Sequence, residues 1–494
     1  MTELLPLDRL AALDNFGHSI KTVSYLYRPT QVEEIAALFR LAERHGLTIA
    51  LRGAGRSYGD AALNAGQIVL DIRRMNRILD WDPATGVICV EPGVTLQQIW
   101  QYTLEDGYWP PVVSGTMYPT LGGALGMNIH GKNNWKAGTL GEHVLEFTAW
   151  LPNGEHVTCT PEQNADLFYA LIGGAGLLGV FTSITLRLKR IHSGNVRVHA
   201  WATPNLGVML RDLDQFKADF DYIVGWVDGT HRNGRGQIHG ADYLHADEDP
   251  HPARTLSLDY QILPDTFFGV VPKSMMWLGM QFFMNNPGTW LINTAKYLYS
   301  ATVEHRKQYL QSLVAFNFLL DYVPNWERSY GRGGLIQYQS FLPLATAPDA
   351  YLEMLRLAQK RGLPTYLGVT KRHRPDKFLL THAVDGYSLA MDFKVTGGQE
   401  RAGNRPRLQA LANDLNQIVL DAGGRFYFAK DSTLTPEVTA RYLGEDTLRR
   451  LRALKRRCDP HSLLQTDLYR RLLRAQLEGV EPAPALTPAA LPAR

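Results

Sequence analysis

The sequence predicts an α+β chain, with an N-terminal α+β unit over residues 1–194 and a second region built on an antiparallel sheet. Three observations predict it. A strand–helix–strand unit opens the chain and feeds directly into a glycine-rich loop. Two more such loops follow, so residues 52–60, 116–132 and 173–179 all leave backbone bare of side chains. From about residue 195 the texture changes to strand-like runs mixed with helices, which fits a sheet covered by helices.

Taken in order, Thr22–Tyr27 alternates like a strand. Pro29-Thr30 then opens a helix, with Glu33 three residues after Thr30 as a capping box. Val32, Ile35, Phe39 and Ala42 form its apolar face, Gly46 stops it, and Leu47–Leu51 reads as the next strand. The first loop follows, Arg52-Gly53-Ala54-Gly55-Arg56-Ser57-Tyr58-Gly59-Asp60. A Rossmann unit is the default for such a start, and it fails twice. The glycine spacing is not G-x-G-x-x-G, and a strand (Ile68–Ile72) rather than a helix comes next. Ile78–Trp81 and Val87–Val90 form a hairpin about the Asp82–Gly86 turn. Thr95 and Gln98 frame another capping box, opening a helix that ends near Gly107.

The central loop runs from Thr116 to Lys132. Gly122, Gly123 and Gly126 strip one face of its backbone, and Thr120 is placed to cap a short helix there. A bare helix N-terminus offers unpaired N–H groups and a positive dipole end to a phosphate. Val144–Leu151 and His156–Cys159 make a second hairpin. Ala165–Leu171 reads as a helix running into the third loop, Gly173–Gly179, and Val180–Lys189 as a strand. Three such loops suggest one large, flat, phosphate-bearing ligand held mainly by backbone; three unrelated tight turns are the plain alternative.

In the second region Val198–Ala202, Ile223–Val227, Leu335–Leu342 and Leu389–Lys394 read as strands. One helix follows Thr346-Ala347-Pro348-Asp349, and another spans Arg405–Asp421 before Gly423-Gly424. Gln337-Tyr338-Gln339 on a strand puts both amides on one face and Tyr338 on the other. Phe267–Trp290 is rich in Phe, Met and Trp. It reads either as an element packed on the sheet or as an apolar surface loop meeting lipid or a long hydrophobic tail. Arg425–Asp431 begins a last segment, in which Phe426–Lys430 looks strand-like with Phe426, Phe428 and Lys430 on one face. Asp446–Leu473 is an Arg-rich amphipathic helical stretch broken at Asp459-Pro460, and residues 479–494 read as a disordered tail.

Composition narrows the function. The 51 basic residues nearly balance 48 acidic ones, for a net charge of +3, so no nucleic-acid partner is expected. Cys89, Cys159 and Cys458 lie far apart without C-x-x-C spacing, which argues against a disulfide framework, an iron–sulfur cluster or a structural metal. No secretory signal opens the chain and no run of about 18 apolar residues occurs. The expected location is cytoplasmic, with peripheral contact at the inner membrane through Phe267–Trp290.

These loops resemble the FAD-binding fold of the vanillyl-alcohol-oxidase superfamily, in its PCMH-type form. Within it the chain is most similar to the decaprenylphosphoryl-β-D-ribose 2′-oxidase family. The pieces that carry the resemblance are Arg56-Ser57-Tyr58-Gly59-Asp60, Ile129-His130-Gly131-Lys132-Asn133, Trp326-Glu327-Arg328-Ser329-Tyr330-Gly331, Gln337-Tyr338-Gln339, Met391-Asp392-Phe393 and Ala429-Lys430-Asp431-Ser432. They run in family order over roughly residues 15–473. The resemblance implies a split FAD domain (residues 1–194 and 425–478) with an inserted substrate domain (195–424). It implies FAD held without a covalent link, because the slot of the histidyl-flavin bond holds Arg56.

The cofactor residues implied are Arg52, Gly53, Ala54, Gly55, Arg56, Ser57, Tyr58, Gly115, Thr116, Gly122, Gly123, Gly126, Asn128, Ile129, His130, Gly131, Gly176, Gly179, Val180 and Tyr427. Lys430, His130 and Tyr58 are implied as catalytic, and Lys132, Gln337, Gln339, Lys371, Ser388, Ala390 and Trp326 as substrate-facing. The family oxidises the 2′-hydroxyl of a lipid-phosphate-linked ribose to a ketone, the first half of an epimerisation to arabinose for cell-wall arabinan. An NAD(P)-dependent reductase partner finishes it, and quinone or O2 takes the electrons. Two departures stand out. Mycobacterial members carry cysteine where this chain has Ala390, and asparagine where it has Ser388. The competing readings are an oxidase of another sugar or polyol, an FAD-dependent C=C reductase resembling sterol Δ24-reductase, and a non-catalytic flavin-binding protein. The context of Lys430 favours alcohol chemistry.

Overall fold

A computed structural model describes residues 5–267, 271–397 and 403–479. Strands β1 (Leu10–Asp14), β2 (Lys21–Tyr27), β3 (Ile49–Arg52) and β4 (Ile68–Asp71) form a sheet in the order β1-β2-β4-β3. β4 runs parallel to β2 and β3, as the helical crossover Val32–His45 requires. That helix buries Ile35, Leu38, Phe39 and Ala42 and ends at Gly46, whose φ of 63° is left-handed. Its capping box is Gln31 with Glu34, one residue later than the Thr30–Glu33 pair expected. The helix starts at Val32, so the side chain that can reach back is Glu34, which accepts from the Thr30 and Gln31 amides.

A five-stranded antiparallel sheet follows, in the order β5 (Ile78–Asp82), β6 (Val87–Val90), β10 (Val180–Arg187), β8 (Val144–Trp150), β9 (His156–Cys159). Both expected hairpins are present in it. β7 (Tyr108–Trp109) and β11 (Lys189–Arg190) make a small ribbon. The Thr95–Gln98 capping box opens the helix Leu96–Thr103, and Thr120 caps the helix Leu121–Gly126 by accepting from the Gly123 amide at 3.3 Å.

The second region is one eight-stranded sheet, antiparallel at every pairing. Its order is β17 (Lys307–Ser312), β12 (Asn195–Thr203), β14 (Gly236–Tyr243), β13 (Tyr222–Val227), β19 (Gly368–His373), β20 (Gly386–Lys394), β18 (Leu335–Pro343), β21 (Arg425–Phe426). β15 (Thr266–Phe267) and β16 (Val271–Pro272) pair separately. The helices Leu206–Gln215, Ala347–Lys360 and Arg405–Asp421 cover one face, where Tyr338 donates to Asn416 Oδ1 at 3.0 Å and Tyr351 to Ser340 O at 3.0 Å. The opposite face is turned toward the glycine loops.

The chain then returns to its beginning. Leu464 bridges Ile49 in parallel, and the Asp467 amide donates to Leu63 O at 2.9 Å. The strand expected over Phe426–Lys430 is only Arg425–Phe426; Phe428–Lys430 is a 3-10 turn. Ala429 O is taken by the Tyr58 amide at 2.8 Å, so the segment is tied to the first loop rather than to a ladder partner. The face alternation expected for Lys430 therefore fails. The Arg-rich helical stretch starts earlier than expected, at Pro436, is interrupted at Gly444 (φ 78°), breaks at Asp459 as expected and resumes as the helix Asp467–Leu472.

Phe267–Trp290 divides into short pieces, including the helix Met276–Gln281 and the start of the helix Asn286–Thr302. Met275, Leu278, Phe282, Phe283, Trp290 and Leu291 are exposed, Phe282 by 82%. Residues 268–270 of that stretch, and residues 480–494 of the expected tail, lie outside the described residues. Among the described residues no helix is long and apolar enough to cross a membrane.

Candidate active site

A cavity of about 540 Å³ separates the three glycine loops from the open face of the eight-stranded sheet. Period-two alternation decides which sheet side chains reach it. Gln339 lies opposite Ala390, Ala390 opposite Val369, and Val369 opposite Trp226, so one cross-strand row faces the cavity. The neighbouring row contributes Ser388 and Lys371, and His239 stands opposite Val224. All of these line the wall.

Lys430 is the centre of one polar cluster. Its ammonium lies 3.7 Å from the centroid of the Tyr58 ring. Phe16 meets that ring edge-on at 4.9 Å, and the Tyr58 hydroxyl is buried without a hydrogen-bond partner. Burial pushes the Lys430 pKa down, with Asp392 opposing and Lys371 reinforcing the shift. Asp392 is fully buried, and Gln337 Nε2 donates to its Oδ1 at 2.5 Å. Burial raises the Asp392 carboxyl, against the pull of Gln337 and Lys430. The pair is thus drawn toward neutrality from both sides, which is where a proton moves easily at ordinary pH.

His130 centres a second cluster. Its Nε2 lies 3.2 Å from Gln339 Nε2 and its Nδ1 3.5 Å from Lys371 Nζ. The rings of His373, His382 and Tyr427 lie 4.9, 5.4 and 5.5 Å away. Burial, then the charge of Lys371, holds the His130 pKa well below the usual histidine range, so this imidazole is neutral. Among the described residues no set of His, Cys, Asp and Glu is arranged to hold a metal. Burial lowers Lys371 to about 8 and Lys132 well below the lysine range.

Most of the expected residues come together here. Arg52, Gly53, Ala54, Gly55, Arg56, Ser57, Tyr58, Gly115, Thr116, Gly122, Gly123, Gly126, Ile129, His130, Gly176, Gly179, Val180 and Tyr427 line the cavity with Lys132, Gln337, Gln339, Lys371, Ser388, Ala390 and Lys430. Three do not. Trp326 sits behind the wall, its ring 6.0 Å from Phe16. Asn128 holds the loop from behind, donating to Thr139 Oγ1 at 3.0 Å and accepting from the Gly141 amide at 2.9 Å. Gly131 faces Asn133 rather than the cavity. Sequence reasoning gave no separate role to Asp392, Trp226, His239, His373, His382 or Lys296. The strand alternation that found Gln337 and Gln339 extends to Asp392, Trp226 and His239; nothing in the sequence marks Lys296.

The loops fit FAD on three observations. A Cβ on Gly126 would meet no atom within 4 Å, so this backbone opens straight onto the cavity. Arg56, stacked between the Phe16 and Tyr118 rings at 5.1 Å from each, keeps a buried Nε without a partner. The cavity also runs unbroken from the first loop to the third. Such a wall of bare backbone and unpaired donors suits a flat dinucleotide.

Comparison with known proteins agrees. Residues 23–160 match the FAD binding domain family. The chain is 30% identical over 480 residues to decaprenylphosphoryl-beta-D-ribose oxidase of Mycolicibacterium smegmatis, covering 93% of this chain and 97% of that one. An uncharacterised Streptomyces coelicolor protein is 29% identical over 77% of this chain and 100% of its own. An uncharacterised oxidoreductase of Rhodococcoides fascians is 30% identical over 40% of this chain and 45% of its own. The chain binds FAD, is an FAD-dependent oxidase acting on CH–OH groups, and belongs to the decaprenylphosphoryl-β-D-ribose oxidase family of the vanillyl-alcohol-oxidase superfamily.

Proposed function

We propose that the enzyme oxidises a secondary hydroxyl of a sugar to a ketone, and that the sugar is a polyprenyl-phosphate-linked ribose reacting at its 2′-hydroxyl. The observation that carries this reading is the buried cluster of Lys430, Gln337 and Tyr58 on the wall of the FAD-binding cavity, with Asp392 behind Gln337. Similarity over nearly the whole chain to a decaprenylphosphoryl-beta-D-ribose oxidase supports the sugar. Residues 195–424 would act as a substrate domain inserted between the two parts of a FAD domain.

When bound, FAD supplies the acceptor for the hydride that leaves the carbinol carbon. In this reading Arg52–Ser57, the Leu121–Gly126 helix and Gly176–Val180 hold it. Lys430, as the neutral amine, takes the hydroxyl proton; as ammonium it offsets the charge developing on that oxygen. Gln337 keeps Asp392 fixed, and Asp392 sets how readily Lys430 gives up its proton. Gln339 and neutral His130 orient the sugar by hydrogen bonds, with Lys132, Lys371 and Ser388 at its rim. A reductase partner would consume the ketone, and quinone or O2 would reoxidise the enzyme.

Anaerobic mixing with a β-D-ribofuranosyl alkyl phosphate should bleach the flavin in a single turnover; a flavin that stays oxidised with that compound refutes the assignment. The exposed apolar side chains at Met275–Leu291 support peripheral membrane contact, which liposome flotation tests. Absence of the protein from the floated fraction would dismiss that contact.

A further inference from the structure

The cavity wall carries Arg52, Arg56, Lys132, Lys296, Lys371 and Lys430, and among its lining residues there is no Asp or Glu. Basic groups gathered on one wall repel one another unless something anionic meets them. Arg52 and Arg56 belong to the first glycine loop, Lys371 lies beside His130, and Lys430 is balanced by Asp392. Lys132 and Lys296 are left over.

Lys296 is the one charged residue of the helix Asn286–Thr302. A lysine on such a helix ordinarily runs its stem outward and keeps its amine in water. Here the exposed side shows Trp290, Leu291, Leu298 and Tyr299, and Lys296, itself exposed, stands at the cavity rim with its amine 4.1 Å from the centroid of the Trp226 ring. The acid whose field reaches it is Glu304, and that carboxylate already accepts from Gln237 Nε2 at 2.7 Å. Lys132 stands over the Phe316 ring at 4.4 Å and spends one N–H on Phe316 O, leaving two. His239, on β14, lies within the field of both lysines, and burial, then those neighbours, holds it neutral, so it offers an N–H without adding charge.

We propose that Lys296, Lys132 and His239 form an anion subsite that receives the phosphoryl group of the substrate, beside Trp226 and at the end of the central loop. The inference rests on the sugar-oxidase reading above and deepens it. A phosphodiester bound there lies next to the apolar outer face of the Asn286–Thr302 helix, which offers a path for an attached chain. A soluble sugar phosphate shares the same recognised group without needing that path.

The test uses FAD-loaded protein and three probes: octyl β-D-ribofuranosyl phosphate, ribose 1-phosphate and octyl β-D-ribofuranoside. Binding is read from the perturbation of the flavin absorption band, and oxidation separately from anaerobic bleaching. Lys296→Gln should raise Kd for both phosphorylated probes about 10–100-fold, the range for hydrogen bonds to a charged group. Kd for the neutral riboside should move less than about threefold, flavin content should stay the same, and Lys296→Arg should recover most of the loss. Tighter binding of the octyl phosphate than of ribose 1-phosphate identifies a chain-bearing substrate, and the reverse a soluble one. Equal losses for charged and neutral probes, or no preference of the unmodified protein for the phosphorylated ones, overturns the subsite. Phosphate-selective binding without bleaching would instead remove the proposed oxidation and leave the subsite standing.

Discussion

Replacing Lys430 with alanine should abolish alcohol-driven flavin reduction while leaving the fold and the bound FAD in place. The Lys430 side chain ends over the Tyr58 ring within the field of buried Asp392, and its backbone N–H closes a turn on Tyr427 O at 2.9 Å. Alanine keeps that turn, so the loss is the amine alone. General acid–base assistance is worth about 10²–10⁴-fold. At 1.36 kcal/mol per decade that is about 2.7–5.5 kcal/mol of barrier. Asp392 does not take over, because removing the neighbouring cation drives its carboxyl further toward the protonated form. Stopped-flow reduction under anaerobic conditions reads the rate directly. In the unmodified enzyme that rate should rise with pH through neutrality, since burial lowers the Lys430 pKa and the neutral amine is the base. Lys430→Ala should be at least about 100-fold slower with a flat profile, and Lys430→Arg should not recover it. A Lys430→Ala rate within about threefold of the unmodified enzyme, at unchanged FAD content, would show that the proton leaves by another route.

Other outcomes follow from the same geometry. Asp392→Asn keeps an acceptor for Gln337 but removes the charge that raises the Lys430 pKa; the pH–rate curve should move about one unit toward acid, and a shift toward alkali would contradict the pairing. Thiol-directed inhibitors should leave no covalent adduct at the cavity by mass spectrometry, because Ala390 is on the wall and Cys89, Cys159 and Cys458 are not. Acid precipitation should release all the yellow colour, since Arg56 offers no nucleophile for a flavin bond; colour in the pellet would contradict this. Arg471→Leu leaves buried Asp60 and Asp431 without their shared cation and should cost about 3–5 kcal/mol in denaturant unfolding. A cost below about 1 kcal/mol would mean the ion pairs are dispensable.

What could be read beforehand was what is local. Strand alternation placed Gln337 and Gln339 on the cavity face and Tyr338 against the covering helices, where its hydroxyl finds Asn416. The helices at Ala165–Leu171 and Arg405–Asp421 stand at the positions their apolar spacing and flanking residues give. The approach of Lys430 to the site was legible only through family resemblance, because the turn that aims it is set by a hydrogen bond from Tyr58, 371 positions away. The approach of Lys296 to Trp226 was not legible at all. On its own helix a lone lysine amid apolar residues looks like a side chain bound for water alone, and only the fold brings the Trp226 ring within reach of its amine. Trp326 was assigned to the sugar because it sits in a family motif, yet it packs behind Phe16 and does not line the cavity.

The arrangement also explains why the last part of the chain matters to chemistry at the first loop. A Cβ on Gly59 would lie 1.5 Å from Asp431 O, so the first loop and the Ala429–Ser432 turn touch backbone to backbone. Around that contact Arg471 holds Asp60 at 2.7 Å and Asp431 at 2.8 Å, and the Tyr58 amide holds Ala429 O. Lys430 lies between the two residues held in this way. Its amine is therefore positioned by a clasp of buried charges and a glycine contact, not by any regular element of its own. Burying two carboxylates with one guanidinium is not a strong source of stability by itself. Its effect is geometric: with both sides of Lys430 pinned to the loop that carries Tyr58, the lysine cannot drift from the tyrosine ring and Asp392 without breaking a buried ion pair.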